Sequence, residues 1–331
     1  LQQLPSEHTV NVNAFDYQYP IKRMFISRFK NGYLANIDYA NLEMRVIGLL
    51  SQDKGMYDAF ISGKDIHRST ASLAFKIPYD EVDKDNRQAA KAVNFGLSYG
   101  LGDKNLAKRI NSTEEYAGKV RQAVVDSRPR MKTLMKETQE FAESHGYVTT
   151  MVGFRRFLKE AQYGNKYDKL SGLRKSFNTL IQGTGAALTN TAVYMSVALF
   201  NKYHLKSKVI LTVHDSIVVD VHPDEVYVAP LLVKKVMENL TYPWLFVIID
   251  GKKVRYPIEA DAEIGRDYGD TVAYNPEEMK KFRNIDDYID YRLGLSYISD
   301  ASSEESGVLS PEQADGKREA LAKKYLVDRG N

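Results

Sequence analysis

The chain has 331 residues, 43% of them apolar and 27% charged, an ordinary globular balance with enough length for two or three lobes. No stretch approaches the roughly 18 uninterrupted apolar residues of a membrane-crossing helix. The start, Leu1–Val10, lacks the basic and apolar regions of a signal peptide. The absence of cysteine removes disulfides, thiolate metal sites and thiol nucleophiles, and fits a reducing cytoplasm. Net charge is only +3, yet residues 270–331 carry nine Lys/Arg against thirteen Asp/Glu, so the part before them is basic. That distribution permits a polyanionic partner, and solvated surface charge would explain it equally well.

In chain order, Tyr33–Ile37 reads as a short apolar strand ending at Asp38. Helical spacing follows over Leu42–Leu50 and Gly55–Ile61, and Asp65 opens a further helix that Pro78 stops. Asp83–Tyr99 is a strong helix, closed by Gly100-Leu101-Gly102. Helices are expected near Thr113–Ser127 and Arg130–Ser144, then a hairpin over 147–158 with Gly153 in its turn. A long helix, Leu170–Tyr203, precedes the clearest hairpin in the chain. There Val209, Leu211 and Val213 alternate on one strand, Ile217, Val219 and Val221 on the other, and His214-Asp215-Ser216 connects them. Pro223 begins another helix, and Pro257–Ile264 is a last strand. Beyond Gly269 the apolar density falls. Ala301–Gly307 reads as polar and mobile, and Pro311–Val327 as a short amphipathic helix.

Two carboxylates stand at rigid positions: Asp38 at a strand end, and Asp215 at a hairpin tip. Acids held in this way can clamp Mg²⁺ for phosphoryl transfer. By pattern alone they could equally be ordinary strand-ending and turn residues. The Asp83–Tyr99 helix carries Arg87, Lys91, Phe95 and Tyr99 one turn apart on one face. Two cations followed by two aromatics suit a nucleoside triphosphate, although a solvated amphipathic face has the same spacing. The alternation of Glu259, Asp261 and Glu263 fits a solvated strand face better than a third metal group.

Three ordered motifs carry a resemblance. Asp38-Tyr39-Ala40-Asn41-Leu42-Glu43-Met44-Arg45 resembles the first palm motif of the family A, polymerase I-like, DNA polymerases. The run from Arg87 to Gly100 resembles that family's fingers motif, with Lys91, Phe95 and Tyr99 at its marked positions, and Val213-His214-Asp215-Ser216 resembles its last palm motif. Asp65-Ile66-His67, Gly153–Phe157, Phe177-Asn178 and Gln182-Gly183-Thr184 also match. The likeness covers roughly residues 1–269.

The resemblance implies an α+β right-hand fold, an antiparallel palm sheet backed by helices with an inserted helical fingers subdomain. The palm would comprise 1–45 and 169–269, the fingers 46–168, and a partly mobile extension 270–331. It implies template-directed DNA synthesis from dNTPs on primer–template DNA with two Mg²⁺ ions, Mn²⁺ being a possible substitute. Asp38, Asp215 and the carbonyl of Tyr39 would hold the metals. Lys91, Arg87 and His67 would bind the triphosphate, with Lys91 as proton donor to pyrophosphate. Phe95 would pack on the sugar, Glu43 would exclude a ribose 2′-OH, and Tyr99 would stack near the templating base. Arg174, Asn178, Gln182 and His214 would contact DNA through the minor groove.

Departures are Ser216 in place of an acid, Ala40 and Asn41 for Ser and Gln, and Gln88 for a frequent Arg. Phe95, where the family also uses Tyr, implies stronger rejection of dideoxynucleotides. The sequence lacks an initiator Met, and Leu1–Pro5 resembles the stretch just before the first palm motif. The thumb and 3′–5′ exonuclease are therefore expected on a preceding portion or a second chain, in the cytoplasm of a bacterial or phage-infected cell. The rival readings are a single-subunit RNA polymerase, against which Glu43 and Phe95 argue, and a non-catalytic DNA-binding or scaffolding subunit.

Overall fold

The computed structural model describes residues 21–99 and 102–294, without the side chains of Ser98 and Tyr99. The expectations for Leu1–Pro5, the Gly100 cap, Ala301–Gly307 and Pro311–Val327 lie outside the described residues. β1 (Tyr33–Tyr39) leads into α1 (Leu42–Ser51), α2 (Lys54–Ile61), α3 (Ile66–Phe75) and α4 (Lys84–Tyr99). Then come α5 (Asp103–Arg109), α6 (Glu114–Asp126) and α7 (Pro129–His145). The hairpin β2 (Tyr147–Thr149) and β3 (Arg155–Phe157), a short α8 (Lys159–Tyr163) and a 37-residue α9 (Lys166–Lys202) follow. The chain then forms β4 (Lys208–Val213), β5 (Ser216–Val221), α10 (Ala229–Glu238), β6 (Phe246–Ile249), β7 (Lys252–Arg255) and β8 (Ala260–Gly265). It closes with β9 (Thr271–Ala273), α11 (Pro276–Met279) and α12 (Ile285–Leu293).

The described residues fall into two compact units, one within 1–38, 193–236 and 260–331, the other within 39–192 and 237–259. The first holds a five-stranded sheet in the order β4-β5-β1-β8-β9. β5 pairs antiparallel with both β4 and β1. Every residue of β5 is buried, because a central strand is covered on both faces, whereas β4 at the edge alternates between exposed and half-buried. Asp220, buried within β5, accepts a 2.5 Å bond from Ser27 Oγ and pairs with Arg28 at 3.2 Å.

The sheet continues past residue 269, where the sequence reading starts its extension. β9 pairs with β8, and α12 is tied back by Tyr288, whose hydroxyl donates to the carbonyl of Ala273 at 2.6 Å. Arg266 bridges Asp286 and Asp290 at 2.8 and 2.7 Å. Met279, Phe282, Ile285, Tyr288 and Ile289 are buried, an i, i+3, i+4 pattern diluted by the acidic residues between them.

The second unit is mainly helical, and its helix starts follow from capping chemistry. Asp53 accepts from Met56 N at 2.8 Å, Asp65 from His67 N and Arg68 N at 2.9 and 2.8 Å, and Thr113 from Tyr116 N at 3.2 Å. Arg45, only 3% exposed, donates to Ala40 O, Pro257 O and Glu259 Oε2 at 2.7, 2.7 and 2.5 Å, tying the start of α1 to the 257–259 segment. α9 runs unbroken through Gln182–Gly185, where Gly183 lies against Thr150 and Gly185 against Leu42. Those small residues serve close packing.

Gly172 brings α9 against α8: an added Cβ would fall 2.7 Å from Ala161 N and 2.9 Å from its Cα. Backbone cannot swing aside as a side-chain tip can. Gly172→Ala should therefore destabilise by about 1–3 kcal/mol, read as a lower urea midpoint at unchanged m-value.

Candidate active site

The first unit builds an acidic pair. The β1–β5 register runs from Tyr33↔Val221 to Asp38↔Ser216, so Asp215, one residue before Ser216, emerges at the end of the sheet that carries Asp38. The β4–β5 turn is closed by two residues, and His214 takes φ 56 to make it. Desolvation, followed by the charge of Asp215 and a hydrogen bond with it, pushes Asp38 up to about 7. Asp38 itself is open to solvent, which makes carboxylate repulsion the firmer cause. Asp215 is raised as well, chiefly by burial, against the opposing effects of its backbone hydrogen bond, the bond with Asp38 and the charge of His214.

Asp261 and Glu263, on the exposed face of β8, add repulsion at Asp38. Glu259 is instead occupied by Arg45. Ser216 is turned away from this chemistry; its hydroxyl donates to Val213 O at 3.0 Å inside the hairpin. Among the described residues no cluster of three or more His, Asp and Glu is arranged as a metal cage. Two repelling carboxylates sharing a hydrogen bond nonetheless fit a divalent cation, since Mg²⁺ is commonly held by one or two carboxylates and completed by water and phosphate. Tyr268, which the sequence reading does not single out, is close enough for Asp38 to help raise its phenol.

The second unit builds a cationic and aromatic face on α3 and α4. Arg87 gives Nε and Nη2 to Asp65 Oδ2 at 3.0 and 2.6 Å. Although burial works the other way, Arg87 and the α3 amides hold the Asp65 carboxyl low. Lys91 Nζ lies 5.9 Å from the centre of the Phe95 ring, and the His67 ring 5.6 Å from it. His67 departs from the expected phosphate-binding cation. It is 4% exposed, and burial, with Lys91 and Arg87 adding repulsion against the attraction of Asp65, lowers it to about 4. Asn94 Nδ2 lies 3.0 Å from His67 Nδ1 and also donates to Thr70 Oγ1 at 3.1 Å. An amide NH₂ can only donate, so Nδ1 accepts and Nε2 carries the single ring proton. His67 is thus a neutral hydrogen-bond donor.

Behind it, buried Arg128 donates to Thr70 at 3.2 Å and approaches Asp53 at 3.4 Å. Sequence reasoning gave Asn94, Asp65 and Arg128 no role; Asn94 and Asp65 sit within quoted motifs, while Arg128 carries no local signal. Glu43 is half-buried at the second position of α1, and Tyr39 is buried, its hydroxyl donating to Met237 O at 3.1 Å. Arg174, Asn178 and Gln182 recur one turn apart on α9, Arg174 exposed and the others half-buried. His214 is exposed at the β4–β5 tip. The Tyr99 side chain lies outside the described residues.

The family model "DNA polymerase family A" matches residues 1–270. The chain is similar to the DNA polymerase of Bacillus phage SP01, 32% identical over 302 residues, covering 88% of this chain and 32% of the relative. It is also similar to DNA polymerase I of Bacillus subtilis (32% identical; 66% of this chain, 25% of the relative) and of Thermus aquaticus (31%; 75% and 28%). The chain thus spans about a quarter to a third of the length of these relatives. The phage match covers more of the chain than residues 1–270 can supply, so it takes in part of the segment that the sequence reading left without a counterpart. Among solved structures, the polymerase domain of Pol1 from M. smegmatis, in complex with DNA primer-template and dNTP, is similar at TM-score 0.68 and 28% identity, over 81% of this chain and 44% of that one.

In the metal-free protein Asp38 keeps its proton up to about 7, against roughly 4 in an unfolded chain. An acid raised on folding contributes stability that is intact below the unfolded value and lost as pH rises towards the folded one. Asp38→Asn removes that ionisation. In EDTA the variant should melt above the parent near pH 8 and level with it near pH 4; a gap that ignores pH would contradict the repulsion.

Proposed function

Since the chain belongs to DNA polymerase family A, we propose that it carries the catalytic centre of a template-directed DNA polymerase. The observation that supports this most is the Asp38–Asp215 pair, two mutually repelling carboxylates at neighbouring strand ends. Mg²⁺, or Mn²⁺ in its stead, held there as two ions with help from the Tyr39 carbonyl would stabilise the attacking and leaving oxygens of phosphoryl transfer.

The remaining roles belong to side chains. The primer 3′-hydroxyl gives its proton to water and its oxygen attacks the α-phosphorus of a dNTP, and the bond to pyrophosphate breaks as the new ester forms. Lys91 holds the triphosphate and donates a proton to the leaving pyrophosphate. Arg87, oriented by Asp65, adds charge to the phosphates, and His67 donates a neutral hydrogen bond from Nε2. Phe95 packs on the incoming sugar, and Glu43 fills the space that a ribose 2′-OH needs, which favours dNTP over NTP. Tyr99 stacks near the templating base, while Arg174, Asn178, Gln182 and His214 contact the primer–template minor groove, where the acceptors are common to all pairs.

On this reading 1–45 and 169–269 form the palm and 46–168 the fingers. The much greater length of the relatives supports a further polypeptide portion, on the same chain or a second one, that grips the duplex. Their bacterial and phage origins support work in the cytoplasm of a bacterium or phage-infected cell.

Primer extension with Mg²⁺ and dNTPs tests the proposal. The chain should extend a short primer, Asp215→Asn should abolish extension, and Lys91→Ala should lower kcat about 10²–10³-fold. Glu43→Ala should gain ribonucleotide incorporation. Folded protein that binds primer–template at low salt without extending it would sink the self-sufficient polymerase and favour a DNA-binding subunit.

A further inference from the structure

The second unit has an exposed aromatic ladder that the polymerase reading leaves unused. In the β2–β3 hairpin, Tyr147 pairs with Phe157 and Thr149 with Arg155. Directly opposed residues of an antiparallel pair point to the same side, so these four share one face. The opposite face turns inward: Val148 is buried, and Arg156 donates to Thr179 on α9 at 3.0 Å. On the outer face the Tyr147 and Phe157 rings are 6.1 Å apart. From the last turns of α7, Phe141 meets Tyr147 edge-on at 5.4 Å and stacks on His145 at 4.1 Å. The Arg155 guanidinium lies 4.2 Å over the Tyr147 ring.

Core aromatics would be covered, and three of these are open: Phe157 is 66% exposed, Phe141 38%, and His145 is exposed, while Tyr147 between them is half-buried. A lone exposed ring needs no explanation; a connected row of four with a guanidinium laid on it does. The charge around it points to an occupant. Residues 136–175, which include the α7 turns that carry Phe141 and His145, contain eight Lys/Arg and five Asp/Glu. Four of the five acids are engaged: Glu140, Glu143 and Glu160 pair with Lys136, Lys169 and Lys175, and Asp168 accepts from Asn165, which leaves Arg155, Arg156, Lys159, Lys166 and Arg174 as the excess of positive charge. Among the described residues Arg155 pairs with no carboxylate. A hydrophobic protein partner would account for the rings but not for the positive surround. Single-stranded nucleic acid accounts for both, its bases stacking on aromatic faces while the phosphates meet the cations. Duplex DNA keeps its base faces stacked internally, so it cannot use the rings.

We propose that the outer face of the β2–β3 hairpin, with Phe141 and His145, is a stacking platform for single-stranded nucleic acid. Its natural occupant is the unpaired template strand, an assignment that rests on the polymerase reading; single-strand affinity itself does not.

The full chain in EDTA without dNTP, titrated into a labelled single-stranded oligonucleotide of about 20 nucleotides and followed by anisotropy, tests this. Phe157→Ala should weaken binding about fivefold or more, as loss of one stacking ring predicts, and Phe157→Tyr should retain it. Arg155→Ala should reduce the salt slope by about one. Affinity for blunt duplex should be unchanged in both variants. Circular dichroism keeps loss of fold apart from loss of binding. Unchanged single-strand affinity in folded Phe157→Ala overturns the proposal, as does a variant whose only defect is loss of self-association in sedimentation. If the parent extends no primer while Phe157→Ala still loses single-strand affinity, the platform stands and the polymerase reading alone falls.

Discussion

The antiparallel pairing of β1 with β5 is the constraint on which the candidate site depends. Because side chains alternate along a strand, a one-residue slip would move every side chain of β1 to the opposite face of the sheet and carry Asp38 out of line with Ser216. Ile37 opposite Ile217, both fully buried, holds the register from the apolar side. The same register sets Asp38 opposite Ser216 and leaves Asp215 in the turn. Apolar burial, which is favourable, thereby forces two carboxylates together, which is not. The raised affinity of Asp38 for protons reflects that imposed repulsion together with desolvation, whereas that of Asp215 reflects its burial.

The second unit stores a different tension. A polar chain runs from Asp53 through Arg128 and Thr70 to Asn94 and His67, all of them buried. Most of its groups are paired, but among the described residues Arg128 Nε and Asn94 Oδ1 find no partner. Incompletely satisfied buried groups are costly, and they persist where they fix something that apolar packing could not. Here they fix which nitrogen of His67 carries the proton, so a ring that burial has stripped of charge still presents a directed donor.

Much of this was legible in the sequence, because the cues were local. Asp65 three residues before Arg68, the alternation of β5 and the cation–aromatic stripe of α4 each announce their element within one or two turns of chain. The β6–β7 hairpin escaped notice although Asp250-Gly251 carries its signature; both residues take positive φ, 48 and 74. α5 escaped because only Leu106 and Ala107 bury. The packing of β9 and α12 was obscured by acidic residues, whose charges Arg266 neutralises from twenty and more residues away. The state of His67 was beyond sequence reading altogether, since it depends on Asn94, 27 positions away, and on burial.

Each unit is electrostatically unfinished in its own way. The acidic pair repels itself, and Ser216 spares it a third charge by turning its hydroxyl to Val213. With His67 neutral and Arg87 partly spent on Asp65, positive charge on the α3–α4 face rests mainly on Lys91 and on what remains of Arg87. A bare triphosphate would overload so few cations, and a bare divalent ion would serve only the carboxylates. On the proposed reading, a divalent ion would relieve the repulsion that folding imposes at Asp38, and a triphosphate would supply the anion that Lys91 lacks. The repulsion that destabilises the first unit as Asp38 ionises and the readiness of that carboxylate pair for a divalent cation are then the same electrostatic fact.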